Sequence, residues 1–234
     1  MSPLRRIELP SPNRDARPLG APIDLLVLHY TGMPSAAAAI ERLRDPAAKV
    51  SAHFLIDEDG TIAAMVPEAE RAWHAGASGW QGRTTLNDVS LGIELVNPGH
   101  EWGYRPFPTA QMAALVELAG ELCRRWRIPR DRVVGHSDVA PTRKDDPGEL
   151  FDWQALARAG LCHPVPTAEP VPPDEPAALA ALARFGYPPT PTAPLLRAFQ
   201  RRWRPACCDG GLDPETMGLA LAVGALRGGG GAAT

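Results

Sequence analysis

The sequence predicts an α/β fold in which a mixed central sheet is flanked by helices, followed by a small domain of three helices. Residues 23–31 form a nearly continuous apolar run, which is typical of a strand buried on both faces of a sheet. Residues 51–66 have the pattern of two strands joined by an Asp-Gly turn. Between Thr109 and Trp126, apolar residues recur every three or four positions, which indicates an amphipathic helix.

The composition allows a sizeable core and argues against two kinds of partner. The 234 residues are 44% hydrophobic, enough for one large domain or for a medium domain with a small module. The net charge of -3 lacks the basic excess of a nucleic-acid-binding protein, so we expect no nucleic-acid partner. No stretch approaches the roughly 20 apolar residues of a membrane span. The sequence carries no signal for an oligomeric state.

Residues 1–20 contain proline and charged residues without periodicity, which predicts an extended arm. The arm has no apolar core of a secretory signal, and the four cysteines show no C-x-x-C spacing, so we expect unpaired thiols. Both features favour a cytoplasmic protein. A periplasmic location is the alternative, if an export signal has been removed.

Helices and strands alternate along the chain after the arm. Ser35 and Thr109 are placed to cap helices. Residues 67–89 predict a loop rich in glycine and tryptophan, and a loop of that length is usually functional or disordered. Residues 90–96 predict a strand on which Glu94 faces away from its two neighbours. The remaining predicted elements are helices at 36–43, 109–126 and 153–159 and a strand at 133–134.

Six prolines lie within residues 162–176, a composition that predicts a semi-rigid linker and a domain boundary. The main domain is therefore predicted to cover residues 21–161. Residues 177–228 are predicted to form the small helical module, and the glycine-rich end of the chain is expected to fray. Three helical patterns begin at prolines in this region, over residues 176–185, 194–202 and 214–226.

A dense set of polar residues occupies residues 135–148, directly after the strand at 133–134. This loop has the sequence Gly-His-Ser-Asp-Val-Ala-Pro-Thr-Arg-Lys-Asp-Asp-Pro-Gly, with one histidine, three aspartates and a lysine. The lysine, Lys144, is one of only two in the chain, and the other is Lys49. Because loops held at strand ends by a rigid sheet often carry function, we expect a site here.

Histidines at two strand ends can combine with this acidic loop to form a zinc site. Zinc hydrolases use three protein ligands and leave one position open for water. His29 and His136 lie at or just after strand ends, and Asp145 and Asp146 follow in the loop. The alternative is that each histidine is a hydrogen-bonded structural residue. The residue pattern alone does not distinguish between the two aspartates.

Five segments in order carry a resemblance to a known family. The segments are Leu-His-Tyr-Thr from residue 28, Ser-Ala-His-Phe from 51, Trp-His-Ala-Gly from 73, Gly-Ile-Glu from 92, and the loop at 135–148. With these segments, about residues 20–160 resemble the zinc-dependent N-acetylmuramoyl-L-alanine amidases of the type 2 amidase family, which share their fold with peptidoglycan-recognition proteins. The resemblance implies that fold and the hydrolysis of the amide between N-acetylmuramic acid and L-alanine.

The resemblance also implies roles for individual residues. It makes His29, His136 and Asp146 the zinc ligands, with Asp146 selected because the family's ligand is the aspartate directly before Pro-Gly. Glu94 matches the family's strand glutamate, which moves protons, and Lys144 matches its loop lysine, which would stabilise the oxyanion. The alternatives are a salt-bridged structural role for Glu94 and a solvated loop charge for Lys144.

The same resemblance places further residues around the substrate cleft. His53 is a candidate for a hydrogen bond that supports the site, and Trp73 and His74 are candidates for contact with sugar or peptide, although packing roles are equally open for both histidines. Asn87 and Arg143 are candidates for binding carboxylates of the stem peptide. The full set of candidate substrate-binding residues is Tyr30, His53, Trp73, His74, Asn87 and Arg143.

The two ends of the chain suggest the form of the substrate. Residues 194–216 resemble a small three-helix peptidoglycan-binding module, and the arm resembles that of two-domain amidases that accept 1,6-anhydro-muropeptides. We therefore expect a muropeptide substrate and a role in recycling. The alternatives are a periplasmic amidase acting on intact cell wall and a non-catalytic peptidoglycan-recognition protein. Metal analysis distinguishes the enzyme from the binding protein.

Overall fold

The computed structural model describes residues 5–227, which form eight strands and eight helices. The strands are β1 (Arg6–Glu8), β2 (Arg14–Ala16), β3 (Leu25–Tyr30), β4 (Phe54–Ile56), β5 (Ile62–Ala64), β6 (Glu70–Ala72), β7 (Ser90–Leu95) and β8 (Val133–Gly135). The helices are α1 (Ala36–Arg44), α2 (Gly99–Trp102), α3 (Thr109–Trp126), α4 (His136–Val139), α5 (Trp153–Arg158), α6 (Glu175–Phe185), α7 (Thr192–Trp203) and α8 (Pro214–Ala225).

The predicted mixed sheet is confirmed. Among the described residues, six strands are ordered β1-β5-β4-β7-β3-β8. Strand β3 pairs in parallel with β7 on one side and with β8 on the other, and β4 continues the sheet in parallel with β7. The predicted hairpin is also present, since β4 and β5 pair antiparallel around the turn that ends at Gly60. Parallel pairing of β7, β3 and β8 brings their carboxyl ends to one edge.

Strand β3 explains why its sequence is apolar without alternation. Its first four residues are fully buried, but they face two different cores. Leu26 and Leu28 pack in a cluster with α3, whereas Leu25 and Val27 pack in a cluster with α6, α7 and α8. The sheet is therefore covered by helices on both faces, as predicted, and the C-terminal helices provide one of the two covers.

Two regions predicted to lack regular structure contain short strands. In the N-terminal arm, β1 joins the edge of the sheet beside β5, and β2 pairs antiparallel with β6 inside the predicted loop at 67–89. That loop also contains a 3-10 turn at Leu86–Asp88. Strands of three residues are too short to show a hydrophobic period, because a period needs several repeats along the chain. Residues 1–4 of the predicted arm lie outside the described residues.

The predicted helices are present, and one of the two predicted caps is wrong. The Ser35 side chain accepts a hydrogen bond from the Ala38 amide, as expected for a cap of α1. Helix α3 instead begins at Thr109 itself, and its cap position is occupied by Pro108 without a side-chain hydrogen bond. Pro108 has no polar side chain, so it cannot accept a hydrogen bond from the free amides of the first turn.

The C-terminal region forms helices α6, α7 and α8 where three helical patterns were predicted. Residue 228, the predicted end of this module, and the glycine-rich run that follows lie outside the described residues. All four cysteines are free, in agreement with the expected unpaired thiols. Within residues 5–227, no helix combines the length and hydropathy that crossing a membrane requires.

Candidate metal centre and active site

Parallel pairing of β3 and β8 brings two histidines together. The register aligns Leu28 with Gly135, so the next residues along the two strands, His29 and His136, lie side by side at the sheet edge. His136 is the first residue of α4, and Asp146 reaches the same point from the loop that follows this short helix. All three side chains are buried.

Three ligand atoms converge at this edge. His29 Nδ1 lies 2.9 Å from His136 Nδ1 and 3.0 Å from Asp146 Oδ2, and His136 Nδ1 lies 3.1 Å from the same carboxylate oxygen. The three atoms thus form a nearly equilateral triangle. The sequence-predicted set of His29, His136 and Asp146 meets at one point, whereas the Asp145 carboxylate is directed to a different partner, Arg201.

A chain of hydrogen bonds determines which nitrogen of His29 carries the proton. The Ser90 hydroxyl donates to the Leu86 carbonyl at 2.6 Å and therefore accepts from His74 Nε2 at 3.1 Å. His74 Nδ1 is then unprotonated and accepts from His29 Nε2 at 3.1 Å. Because a neutral imidazole carries a single proton, His29 Nδ1 presents a lone pair to the triangle.

The second histidine is oriented in the same way by a backbone carbonyl. His136 Nε2 lies 3.2 Å from the Ala75 carbonyl, which can only accept, so the proton of the neutral ring is on Nε2. His136 Nδ1 therefore also presents a lone pair. Two imidazole lone pairs and a carboxylate oxygen about 3 Å apart repel one another unless a cation lies between them. The donor set fits a metal ion.

Burial and neighbouring charges keep two of these groups in the form that binds metal. Burial, together with the adjacent His136, lowers the pKa of His29 to about 4. Burial alone would raise the pKa of Asp146, but the two histidines lower it well below its ordinary value. His29 is thus neutral and Asp146 ionised at neutral pH, as metal ligation requires.

Glu94 enters the same cleft from the neighbouring strand. Its Cα is the register partner of His29 across the β3–β7 pair, and the carboxylate oxygen Oε2 is buried with no hydrogen-bond partner among residues 5–227. Burial and the nearby Asp146 raise the pKa of Glu94 well above its ordinary value, and Lys144 partly opposes the shift. Glu94 is therefore a carboxyl group that can both take and release a proton near the three ligand atoms.

A cleft of about 250 Å³ opens over the three ligand atoms. A second recess of about 260 Å³ adjoins it beyond Lys144. Lys49 and Lys144, the two lysines of the chain, both line this recess, although only Lys144 was predicted as a site residue. The scarcity of lysine was the one sequence signal for Lys49. Residues that line the cleft include His29, Tyr30, Trp73, His74, Glu94, His136, Lys144 and Asp146.

The structure places the predicted substrate-binding histidines behind the ligands. His74 packs edge-on to His29 with ring centroids 5.2 Å apart, and a Cβ on Gly92 would lie 2.5 Å from its ring. Glycine at position 92 thus makes room for the imidazole. His53 is one layer further from the cleft, where its Nδ1 accepts from the Gly92 amide and its Nε2 faces the Glu70 carbonyl.

The other predicted residues lie around the cleft and the recess. The Tyr30 hydroxyl lies 2.9 Å from His100 Nδ1, and Trp73 Nε1 donates to Asp15 at 2.7 Å. Asn87 Oδ1 accepts from the backbone amides of His74 and Ala75, which holds the segment that orients both ligand histidines. Arg143 donates to the carbonyls of Ala75 and Ala77.

Arg17 also supports the site, although the resemblance of the arm, which includes Arg17, assigned it no role. Its guanidinium donates to four backbone carbonyls around the site, those of Glu68, Asn87, Asp88 and Ser90. Burial lowers its pKa to about 10. It thus ties the N-terminal arm to the segments that carry Asn87 and Ser90. A single arginine at the end of a polar arm carries no periodicity or spacing, so its role becomes visible only in the fold.

Comparison with known proteins finds relatives that are similar to this chain in sequence. Residues 19–149 match the family described as N-acetylmuramoyl-L-alanine amidase. The chain is 38% identical over 230 residues to the N-acetylmuramoyl-L-alanine amidase AmiD of Escherichia coli, covering 86% of this chain and 82% of AmiD. It is also 38% identical over 165 residues to the 1,6-anhydro-N-acetylmuramyl-L-alanine amidase AmpD of Haemophilus influenzae, covering 63% of this chain and 88% of AmpD.

Solved structures show the same similarity in three dimensions. The complex of E. coli AmiD with anhydro-N-acetylmuramic acid-L-Ala-D-gamma-Glu-L-Lys superposes with a TM-score of 0.79 at 37% identity, covering 88% of this chain and 91% of AmiD. AmpDh3 of Pseudomonas aeruginosa in complex with anhydromuramic pentapeptide superposes with a TM-score of 0.77 at 35% identity, covering 89% and 94% of the two chains.

Proposed function

The chain belongs to the N-acetylmuramoyl-L-alanine amidase family, and on this premise we propose that it is a zinc hydrolase of muropeptides. The bond cleaved is the amide between N-acetylmuramic acid, including its 1,6-anhydro form, and L-alanine of the stem peptide. The observation that carries the proposal is the convergence of two imidazole lone pairs and one carboxylate oxygen at the floor of a cleft that also contains Glu94.

His29, His136 and Asp146 would hold the zinc ion. Donor atoms on a tetrahedral zinc site, at bond lengths of roughly 2.0–2.1 Å, are about 3.3 Å apart. The observed separations of 2.9 to 3.1 Å are close to that value. A set of three protein ligands is the number that catalytic zinc sites use, in which one position stays open for water. When bound there, zinc supplies an acidic water and polarises the amide carbonyl.

Glu94 is the residue proposed to move the proton. A general base must lie near the attacking water and must release its proton again to the leaving amine. The raised pKa of Glu94 suits the first step, because a carboxylate that is a stronger base takes a proton from water more readily. The unpartnered oxygen Oε2 is available for this exchange.

Lys144 and the recess beside it supply positive charge to the substrate. Lys144 lines both the cleft and the recess, so its ammonium is available to the oxygen of the scissile amide, where negative charge develops. Lys49, Asn87 and Arg143 line the recess, and we propose that this region receives the carboxylates of the stem peptide. Tyr30 and Trp73 line the cleft and offer aromatic surface to sugar or peptide.

A role in recycling is the form of this function that we favour. Relatives that match the amidase domain are named 1,6-anhydro-N-acetylmuramyl-L-alanine amidases, and the matching AmiD structure holds an anhydro-muropeptide. We propose that this chain accepts the same class of substrate and that it acts in the cytoplasm on recycled fragments. The rival is a periplasmic enzyme that acts on intact wall.

One comparison of substrates tests the recycling role. The purified protein is incubated with anhydro-muropeptide and, separately, with intact sacculi, and the released peptides are identified by mass spectrometry. We expect peptides beginning with L-alanine from the soluble anhydro-muropeptide and much slower release from sacculi. Equal or faster release from sacculi would favour the periplasmic rival. No release from either substrate, by a protein that also binds no zinc, would favour a peptidoglycan-recognition protein instead.

A further inference from the structure

Two consecutive arginines of α7 contact the segment that carries two of the proposed metal ligands. We call residues 135–149 the metal loop; it contains four carboxylates, at positions 138, 145, 146 and 149. Arg202 pairs with Asp138, and Arg201 lies 2.6 Å from Asp145 and 3.7 Å from Glu149. Asp146 is thus the carboxylate of the loop that these arginines do not engage.

The Arg202–Asp138 pair is connected to the backbone next to a ligand. Arg202 Nη1 donates to Asp138 Oδ2 at 2.9 Å, and the same oxygen accepts from the Gly135 amide at 2.8 Å. Gly135 directly precedes His136. Arg202 is 4% exposed and Asp138 is 1% exposed, so the pair is shielded from solvent screening. A buried carboxylate that loses such a partner is strongly destabilised where it lies.

Aromatic side chains hold this pair in a single geometry. The Tyr187 hydroxyl donates to Asp138 Oδ1 at 2.8 Å and accepts from Trp203 Nε1 at 3.1 Å. The Arg202 guanidinium lies 4.2 Å from the Trp153 ring centroid and 4.8 Å from the Trp203 ring centroid. Trp153 begins α5, the helix that follows the metal loop, so Arg202 contacts both the loop and the helix after it.

Arg201 acts on the other end of the loop. Asp145 is adjacent to the ligand Asp146, and its side chain is half-exposed and directed to Arg201. This ion pair keeps the Asp145 carboxylate away from the triangle of ligand atoms. The sequence pattern could not distinguish the two aspartates, and the C-terminal helix supplies a physical reason for the difference.

We propose that helix α7 of the C-terminal module positions the metal loop through two ion pairs. Arg202 pairs with Asp138, which accepts from the Gly135 amide directly before His136. Arg201 pairs with Asp145, which directly precedes Asp146. Both arginines are positioning residues, since neither belongs to the triangle of ligand atoms. The inference rests on the zinc site of the proposed function. It gives the helical module a role in the amidase reaction that does not depend on binding to cell wall.

The test compares zinc affinity in four variants of the full chain. Arg201→Gln removes the ion pair at Asp145, Arg202→Met removes the charge at Asp138, and Arg202→Lys keeps it. Arg184→Gln, at an exposed position of α6, is the control. Zinc affinity is measured by competition with a chelator. Because partners that orient metal ligands typically contribute 10–100-fold to affinity, we expect losses of about 10-fold for Arg201→Gln and more for Arg202→Met. Arg202→Lys should recover part of the loss.

Melting temperatures with and without zinc separate positioning from simple stability. A merely structural role would lower the melting temperature of the metal-free and zinc-bound forms equally and leave zinc affinity unchanged. Positioning predicts instead that the zinc-induced rise in melting temperature becomes smaller in Arg201→Gln and Arg202→Met, because that rise depends on affinity. If Arg202→Met does not fold, Arg201→Gln decides the outcome.

The wild-type protein separates this inference from the proposed function. A wild-type chain that binds no zinc would overturn both. A wild-type chain that binds zinc and cleaves anhydro-muropeptide, together with an Arg201→Gln variant of unchanged zinc affinity and unchanged kcat, would overturn the positioning role alone. Weaker zinc binding in Arg201→Gln, with Arg184→Gln equal to wild type, would support it.

Discussion

His29 Nε2 lies 3.1 Å from His74 Nδ1, and this contact determines which nitrogen His29 turns toward the proposed metal. The contact is extended by Ser90, which accepts from the far side of the His74 ring. Gly92 leaves the space that the His74 imidazole occupies. His74 therefore supports a ligand from behind, and the strand beneath it is shaped to receive the ring.

Replacing His74 should weaken zinc binding without removing a ligand. His74→Leu removes the acceptor for His29 Nε2, so the His29 ring loses its fixed tautomer and orientation. We expect zinc affinity to fall 10–100-fold, as for other partners of metal-bound histidines. His74→Gln, whose amide can accept and donate, should lose less. Competition with a chelator measures the zinc affinity of both variants, and His163→Gln in the linker is the control. Equal zinc affinity in His74→Leu and wild type would show that His29 needs no such partner.

Glu94→Gln should retain zinc and lose turnover. The amide matches the carboxylate in size but cannot take a proton from water, so we expect kcat to fall about 10²–10⁴-fold. Zinc content stays at one per chain because Glu94 is not among the three converging ligand atoms. Glu117→Gln, at an exposed position of α3, is the matched control. A Glu94→Gln enzyme with wild-type kcat would assign the proton transfer to another group.

The two adjacent aspartates should differ in their effect on metal content. Asp146→Ala and His136→Ala each remove one of three ligands, so neither variant should retain zinc through desalting. Asp145→Asn should still bind one zinc per chain at saturating zinc, because its side chain is directed to Arg201. The zinc content of the three proteins is measured by elemental analysis after desalting, and Asp145→Asn is loaded with zinc before that step. Zinc loss from Asp145→Asn with retention in Asp146→Ala would reverse the assignment.

The metal-free protein should lose stability as the pH falls from 6.5 toward 4. The ordinary pKa of a histidine is 6.5, and burial lowers it to about 4 for His29 and to about 3 for His53. Burial also lowers the pKa of His74. Below pH 6.5 the unfolded chain therefore binds protons that the folded chain does not, so the free energy of unfolding decreases with falling pH. Glu94, whose pKa is raised, contributes in the opposite direction.

The three histidines oppose one carboxyl group, Glu94, and the lowered pKa of Asp146 adds to their effect near pH 4, which gives a net decrease of roughly 1–3 kcal/mol per pH unit in that window. Urea denaturation in the presence of EDTA, at several pH values between 7 and 4.5, measures the slope. His53→Gln should reduce the slope, because it removes one of the three buried histidines whose pKa is lowered. A free energy of unfolding that stays constant over this range would mean that the three buried histidines titrate normally.

The hydrophobic pattern was sufficient for the longer elements of this fold. Strand β3 and helix α3 could be predicted because burial on two faces, or on one helical face, leaves a mark on every residue of the element. The short strands β1, β2 and β6 left no such mark, since each has three residues and gains its order from a partner distant in sequence. The dependence of the sheet on the C-terminal helices was also not visible, because Leu25 and Val27 look the same whichever helices cover them.

The proposed ligand set could be named from the sequence for a different reason. His29, His136 and Asp146 occur in segments that resemble a known family, and the fold brings them together. The residues that orient them had no comparable signal. Ser90, Arg17 and the Ala75 carbonyl act through hydrogen bonds whose partners lie tens of residues away, and a carbonyl has no side chain to mark it.

The reaction itself, measured with and without metal, tests the account most directly. The purified protein is stripped of metal with EDTA, divided, and supplied or not supplied with one equivalent of zinc before incubation with an anhydro-muropeptide. We expect that only the zinc-supplied sample releases anhydro-N-acetylmuramic acid and a peptide that begins with L-alanine. Equally fast release by the metal-free sample, with no zinc detectable by elemental analysis, would contradict it.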